Sequence, residues 1–198
     1  LFPYTTLFRS LEETDMREGT VGADTLEKRA ERNIILCGFM GCGKSSIGRR
    51  LARLAGRSFV DMDEYIEKKA GKTIKEIFAE EGEEAFRQME EDAASALSRE
   101  RGLVIASGGG TVLREKSRDA LAETGIILLL DVPFPALRER LKNDTSRPLL
   151  QRPDRDEAMY SLFLERMPKY KAAAHMVIPA GAPANFVARE ILHRLELE

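Results

Sequence analysis

Short apolar runs alternate with longer amphipathic stretches along the chain from Asn33 onward. Five runs are rich in Ile, Val and Leu, as buried strands are, and they occupy residues 33–38, 58–63, 102–107, 125–131 and 175–180. The stretches between them have helical spacing; "KSSIGRRLARLAG", for example, ends at Gly56 as a helix with a glycine C-cap would. This alternation predicts a three-layer α/β fold, with a five-stranded parallel sheet and helices on both of its faces.

Two segments do not follow this alternation. Residues 1–32 have weak apolar periodicity and are predicted to be a flexible leader. Its first ten residues, "LFPYTTLFRS", lack the consecutive basic and apolar regions of a signal peptide and resemble a translated sequencing adaptor. We therefore expect residues 1–10 to be artefactual and residues 33–198 to form one domain. The second segment, "NDTSRPLLQRPDRDE" at 143–157, is polar and contains prolines, and it is predicted to be a mobile lid.

The charge balance excludes several kinds of partner. The chain has 31 basic and 33 acidic residues, a formal net charge of -2, and no basic cluster that would bind nucleic acid or an anionic membrane. No apolar run approaches the length of a transmembrane helix. The two cysteines, Cys37 and Cys42, are too close together to suggest a disulfide framework. We expect a cytoplasmic monomer whose anionic ligands are small.

A glycine-rich segment, "GFMGCGKSS" at 38–46, follows the first predicted strand and opens a helix, as a phosphate-binding P-loop does. Its glycines allow backbone N–H groups to turn toward phosphate, and the helix N-terminus favours an anion. Lys44 is expected to reach the β- and γ-phosphates, and the Ser45 hydroxyl to ligate Mg²⁺. The alternative is a turn without a ligand; the complete motif favours nucleotide binding.

Two aspartates end the second predicted strand, in "FVDMDEY". Because side chains two apart in a strand point the same way, Asp61 and Asp63 are predicted to share a face while Met62 turns to the core. One carboxylate would then serve Mg²⁺ and the other a substrate hydroxyl. The alternative is that Asp63 is the N-cap of the following helix. The third strand ends in Ser107, without the aspartate common at that place, so the metal carboxylate is expected to come from elsewhere.

Arg87 and Arg166 are both in stretches predicted to be helical. Arg87 adjoins an apolar seam and has Glu83, Glu90 and Glu91 at helical pairing distances, so by itself it is typical of a solvated, salt-bridged side chain. Arg166 is by the same reasoning a residue on the face of a helix.

Two further arginines and a cysteine lie close to the predicted phosphate site. Arg147, in the predicted lid, is a candidate for stabilising charge during phosphoryl transfer. Arg140 is expected either to stack on a base or to pair with Glu139 or Asp144. Cys42 is interpreted in two ways, as a reactive thiol at a helix N-terminus near Lys44 or as an inert small spacer.

A second glycine-rich loop follows the third predicted strand, in "IASGGGTVLR" at 105–114. Three consecutive glycines lose much backbone entropy on folding, so the loop is expected where side chains would obstruct something. Together with "GFMGCGKSSIGRRLA", "FVDMDEYIE", "IFAEEGEEAFRQMEE", "TSRPLL" and "ERMPKYKAAA", this loop occurs in the order and spacing of shikimate kinases. The resemblance covers nearly everything from Asn33 onward.

This resemblance implies a P-loop kinase fold like that of the nucleoside monophosphate kinases, and the reaction of ATP with shikimate to give ADP and shikimate 3-phosphate in the chorismate pathway to aromatic amino acids. It implies that Asp63 holds the ring hydroxyls and accepts the proton, and that Arg87 and Arg166 grip the carboxylate. Mg²⁺ would be held by Ser45 and, through water, by Asp61. The substrate-binding set implied is Asp63, Arg87, Gly108, Gly109, Gly110 and Arg166, the catalytic set is Asp63, Lys44 and Arg147, and the ATP-binding set is Gly41, Cys42, Gly43, Lys44, Ser45, Ser46, Arg140 and Arg147.

The chain departs from the family at "IPAGAPAN", residues 178–185, where members often have a basic or hydroxylated loop against adenine. Adenine binding is therefore expected to depend on Arg140 and the backbone. Two other functions compete with the main one. A gluconate kinase does not explain Arg87, Arg166 and the triple glycine together, and a non-catalytic nucleotide-binding module usually loses the lysine or metal ligand that Lys44, Ser45 and Asp61 supply here.

Overall fold

The protein is built on five parallel strands, as the sequence predicts. The computed structural model describes residues 31–144 and 148–197, so most of the predicted leader, including residues 1–10, and Arg147 lie outside the described residues. The strands are β1 (Asn33–Cys37), β2 (Ser58–Asp61), β3 (Leu103–Ala106), β4 (Gly125–Asp131) and β5 (Met176–Pro179), in the sheet order β2-β3-β1-β4-β5. All residues of the central strand β1 are buried, and because neighbours in a strand point to opposite faces, both faces of the sheet are covered.

Helices connect the strands. In chain order they are α1 (Lys44–Leu54), α2 (Met62–Ala70), α3 (Ile74–Glu80), α4 (Gly82–Leu97), α5 (Glu115–Thr124), α6 (Phe134–Leu141), α7 (Arg155–Ala173) and α8 (Ala184–Arg194). Short 3₁₀ turns occupy Thr111–Leu113 and Pro148–Gln151. The predicted lid, 143–157, thus includes one of these turns and the start of α7. Gly56, just after α1, has φ +64°, which confirms the predicted glycine at that helix end.

The strand register places three segments at one edge of the sheet. Ala106 of β3 pairs with Leu36 of β1 on one side and with Asp61 of β2 on the other. The residues that follow these three positions are the P-loop, the triple glycine and the start of α2. The carboxyl edge of an open parallel sheet is where such folds bind ligands, so the sheet itself brings these segments together.

The expectation that strand alternation aligns Asp61 with Asp63 is wrong. Strand β2 ends at Asp61, and Met62 already begins α2. Asp61, not Asp63, is the N-cap, because its Oδ1 accepts a hydrogen bond from the backbone N–H of Asp63 at 3.1 Å. Met62 is buried as predicted, although in the first turn of a helix. The two carboxylates therefore point to different neighbours.

The helices within the described ranges are all too short or too polar to cross a membrane.

Candidate active site

The P-loop is shaped by glycines that the backbone requires. Gly38, Gly41 and Gly43 have φ of +140°, +77° and +99°, and a Cβ on Gly38 would lie 2.9 Å from the carbonyl oxygen of Leu130. Helix α1 begins at Lys44 without a side-chain cap, so its first N–H groups are left for a ligand. Lys44 Nζ donates to the carbonyl oxygen of Gly38 at 2.9 Å, which holds the ammonium group over the loop.

The P-loop and the end of β2 are joined by a short hydrogen bond. Ser45 Oγ donates to Asp61 Oδ2 at 2.6 Å. The two side chains predicted to serve a metal are therefore adjacent. Within residues 31–144 and 148–197 there is no cluster of three His, Cys, Asp or Glu side chains suited to a metal ion. A cation at Ser45 and Asp61 would complete its coordination with phosphate oxygens and water, as Mg²⁺ in kinases does.

Asp63 faces the triple-glycine loop. A Cβ on Gly108 would lie 3.0 Å from Asp63 Oδ1, so the carboxylate lies against that glycine. Burial raises the pKa of Asp63 to about 6, and the negative charges of Asp61 and Glu90 add to the rise while Lys44 opposes it. A carboxyl group with this pKa is suited to accept a proton near neutral pH.

Each glycine of the triplet lies beside a different side chain. A Cβ on Gly108 would lie 2.5 Å from Glu90 Oε1, and one on Gly110 would lie 2.5 Å from Arg87 Nη1. At Gly109 the nearest atom is Arg166 Nη1, at an ordinary 3.8 Å. Gly108 therefore leaves room for the carboxylates of Glu90 and Asp63, and Gly110 leaves room for the guanidinium of Arg87. The middle glycine keeps open a space that the described residues do not fill.

The carbonyl of Gly109 is fixed by α7. Tyr170, fully buried, donates its hydroxyl to this oxygen, and Arg166 Nη1 donates to it at 3.5 Å. Because the two residues are four apart on one helix, both reach the same oxygen. Tyr170 was not among the residues identified from the sequence.

Arg87 is less exposed than its sequence surroundings suggest. Its side chain is 17% exposed and pairs with Glu83 at 2.9 Å and with Glu90 at 2.5 Å. Glu90 is buried and accepts a second hydrogen bond from Thr111 Oγ1 at 2.6 Å. Glu91, the third candidate partner, pairs with Arg114 instead. Glu90 lies four residues after Phe86, on the buried face of α4. A charged residue at such a position is the sequence signal that points to Glu90.

Arg140 connects the P-loop to the segment after β5. Its guanidinium donates to the carbonyl oxygens of Gly41 and Cys42 at 3.3 and 3.4 Å, and to those of Ala180 and Gly181 at 3.4 Å. Glu139 pairs with Lys142 at 2.9 Å rather than with Arg140. Pairing of Arg140 with Asp144 stays a prediction.

The remaining P-loop side chains are held within the loop. Ser46 Oγ donates to the carbonyl oxygen of Gly43 at 3.1 Å, and Cys42 is 1% exposed, with Sγ 3.9 Å from Lys44 Nζ. Arg147 lies outside the described residues.

Comparison with known proteins agrees with this geometry. The model of the shikimate kinase family matches residues 40–196. The chain belongs to the shikimate kinase family. A shikimate kinase of Psychrobacter cryohalolentis is 42% identical over 149 residues, which are 75% of this chain and 80% of that protein. A solved shikimate kinase of Acinetobacter baumannii, in complex with shikimate, has a TM-score of 0.80 and 37% identity over 86% of this chain and 96% of its own.

Family membership confirms the P-loop kinase fold expected from the sequence. A gluconokinase of Sinorhizobium meliloti has the same fold, with a TM-score of 0.56 and 20% identity over 85% of this chain and 93% of its own. That likeness concerns the fold alone. The shikimate kinase family match, over residues 40–196, instead includes the P-loop from Met40 onward, the triple glycine, and Arg87, Arg140 and Arg166.

Proposed function

We propose that the chain transfers the γ-phosphoryl group of ATP to the 3-hydroxyl of shikimate, with the site residues acting as follows. The observation that carries the assignment is the meeting of Asp63, Arg87 and Arg166 on the three glycines next to the P-loop. The proposed substrate is small and carries both a carboxylate and ring hydroxyls. The two arginines and the aspartate must therefore lie close together to bind it. All of them come from one chain, which supports action as a monomer.

ATP binds across the P-loop and Arg140. The uncapped N–H groups at the start of α1 receive phosphate, together with the backbone of residues 41–46 and the Ser46 side chain. Lys44 exchanges its carbonyl partner for phosphate oxygens, because a hydrogen bond to a charged acceptor is stronger than one to a carbonyl. Arg140 lies between the P-loop and the segment 180–181, where it covers adenine.

Mg²⁺ would be held by Ser45 directly and by Asp61 through water, which fits the oxygen ligands found there. When bound, the ion supplies neutralisation of the phosphate charge during transfer. Asp61 keeps its position without it, since its second oxygen caps α2.

Shikimate binds against the triple glycine. Arg87 and Arg166 receive its carboxylate, a planar anion suited to the guanidinium fork. Asp63 accepts the proton of the attacking hydroxyl as the bond from that oxygen to the γ-phosphorus forms and the bond to the leaving ADP oxygen breaks. The family resemblance assigns neutralisation of the transferring charge to Arg147, which lies outside the described residues.

A coupled assay of ADP release tests this function. ADP release should require both ATP and Mg²⁺ and should rise strongly on addition of shikimate, with no such rise on addition of gluconate. A response to gluconate alone, or equal release with and without shikimate, would contradict the assignment. Mass spectrometry of the product should show one phosphoryl group added to shikimate.

A further inference from the structure

Arg87 is held by two carboxylates that differ in burial. Glu90 is 1% exposed at its side chain, whereas Glu83 is 68% exposed. Both pairs lie on α4, at three and four residues from Arg87 respectively. The same guanidinium thus has one inner and one outer acidic partner.

The two partners occupy different edges of the guanidinium. Nη1 donates to Glu90 Oε2 at 2.5 Å. Nε and Nη2 both donate to a single oxygen of Glu83, Oε1, at 3.3 and 2.9 Å. The Nε–Nη2 edge can receive two oxygens in parallel, as in a bidentate carboxylate pair, so Glu83 uses this edge incompletely.

Glu90 cannot leave this arrangement. Its other oxygen accepts from Thr111 Oγ1 at 2.6 Å, and the carboxylate is out of contact with water. Breaking the pair would leave a buried charge without its partner, which is strongly unfavourable. Glu90 therefore fixes the position of Arg87 whether or not a ligand is bound.

Glu83 can leave easily. It is in the first turn of α4, its carboxylate is mostly in water, and exposed pairs four apart on a helix contribute little to stability. Displaced, it returns to solvent with no buried group left unpaired.

We propose that Glu83 is a displaceable stand-in for the carboxylate of the substrate, which takes over the Nε–Nη2 edge of Arg87 on binding. This inference rests on the proposed function, in which Arg87 receives the acid group of shikimate. Glu83 then competes with the substrate, while Glu90 positions the arginine for it. The two glutamates consequently have opposite effects on affinity.

The proposal predicts that removal of the Glu83 side chain raises the affinity for shikimate. If shikimate must displace Glu83, the Glu83→Ala variant should bind shikimate about twofold more tightly, the value of a pair of this kind. Its affinity for ATP should not change. Glu90→Gln should instead bind shikimate more weakly, because Arg87 loses its fixed partner.

The experiment is isothermal titration of shikimate into the wild-type protein, Glu83→Ala and Glu84→Ala. Glu84 is the matched control: it is the neighbouring glutamate in the same turn of α4, is 82% exposed, and pairs with Arg114 at 3.1 Å rather than with Arg87. Its removal changes the net charge and the charge at the helix N-terminus equally. A general electrostatic effect on an anionic ligand therefore appears in both variants, whereas displacement appears in one.

The expected result is a dissociation constant for shikimate that falls about twofold in Glu83→Ala and stays at the wild-type value in Glu84→Ala. An unchanged or raised constant in Glu83→Ala, or an equal fall in both variants, would overturn the proposal. Failure of the proposed function is a separate result: the wild-type protein would then show no shikimate-dependent release of ADP.

Discussion

The Gly110→Ala substitution tests whether Gly110 is needed to leave room for the guanidinium of Arg87. A Cβ added to Gly110 would lie 2.5 Å from Arg87 Nη1 and 3.1 Å from Arg87 Cζ. Non-bonded heavy atoms of this kind are comfortable at about 3.5 Å or more, so the guanidinium would have to move back by about 1 Å. It cannot simply rotate away, because the buried Glu90 holds the same Nη1 at 2.5 Å.

The magnitude follows from this displacement. A shift of about 1 Å in a group that orients a substrate costs about 10²-fold in rate. We expect kcat/KM for shikimate to fall by about that factor, while KM for ATP stays close to the wild-type value because the P-loop is not touched. The added methyl group should lower the free energy of unfolding by about 1–3 kcal/mol, as overpacking does.

Steady-state kinetics with each substrate varied in turn, together with thermal denaturation, measures these effects. Gly109→Ala is the control for stability, because its Cβ would meet only Arg166 Nη1 at 3.8 Å, so its denaturation midpoint should stay near that of the wild type. A folded Gly110→Ala variant with wild-type kinetics for shikimate would refute the reasoning. Arg87 would then be free to move, or would not hold the substrate.

Four other outcomes follow from the site and the fold. Asp63→Asn should lower kcat by at least about 10²-fold, because the amide cannot take a proton. Its denaturation midpoint at neutral pH should be no lower than that of the wild type, because the substitution removes a carboxylate whose charged form burial disfavours. Near wild-type turnover would rule out Asp63 as the base. Arg87→Lys should raise KM for shikimate more than KM for ATP, because lysine lacks the bidentate fork; equal rises would exclude a specific carboxylate contact. Burial lowers the pKa of His175, whose Nδ1 accepts from the backbone N–H of Ile127 at 3.0 Å. Its contribution to stability is therefore complete above the unfolded pKa and is lost as pH falls through the folded pKa. Urea unfolding at pH 7.5 and 5.5 should show that the wild type loses more stability, or gains less, than His175→Gln over this interval, and equal changes in the two proteins would contradict this. A timed iodoacetamide pulse should label the buried Cys42 no faster than Cys37, and preferential labelling of Cys42 that MgATP slows would instead show a reactive thiol.

The sheet and the P-loop could be predicted from the sequence because their signals are local. A run such as "GIILLLD" is apolar at every position before its final Asp131, and strand β4 occupies those same residues, Gly125–Asp131. The P-loop requires particular glycines at a fixed spacing, and each of Gly38, Gly41 and Gly43 has the positive φ that favours glycine. Such patterns depend only on residues that lie within a few positions of one another in the chain.

The contacts behind the triple glycine could not be predicted in this way. Thr111 is 21 residues from Glu90, and Tyr170 is 61 residues from Gly109, so only the folded chain brings them together. Asp61 shows a different limit. The sequence predicts the helix cap at Asp63, whereas Asp61 both ends β2 and caps α2, because its side chain accepts a hydrogen bond from the backbone N–H of Asp63.

Three cations among the described residues of the site share one arrangement, in which each donates to an acceptor that a ligand can replace. Lys44 donates to the carbonyl oxygen of Gly38, Arg166 to that of Gly109, and the outer edge of Arg87 to an exposed carboxylate. None of these groups is left unpaired without a ligand, which would be costly in a partly enclosed site. Phosphate and carboxylate oxygens form stronger, charge-assisted hydrogen bonds than a carbonyl does, so the exchange favours the ligand. The pair between Arg87 and Glu90 is the exception, because Glu90 is buried and no ligand can replace it. Glu90 therefore determines where Arg87 meets the substrate.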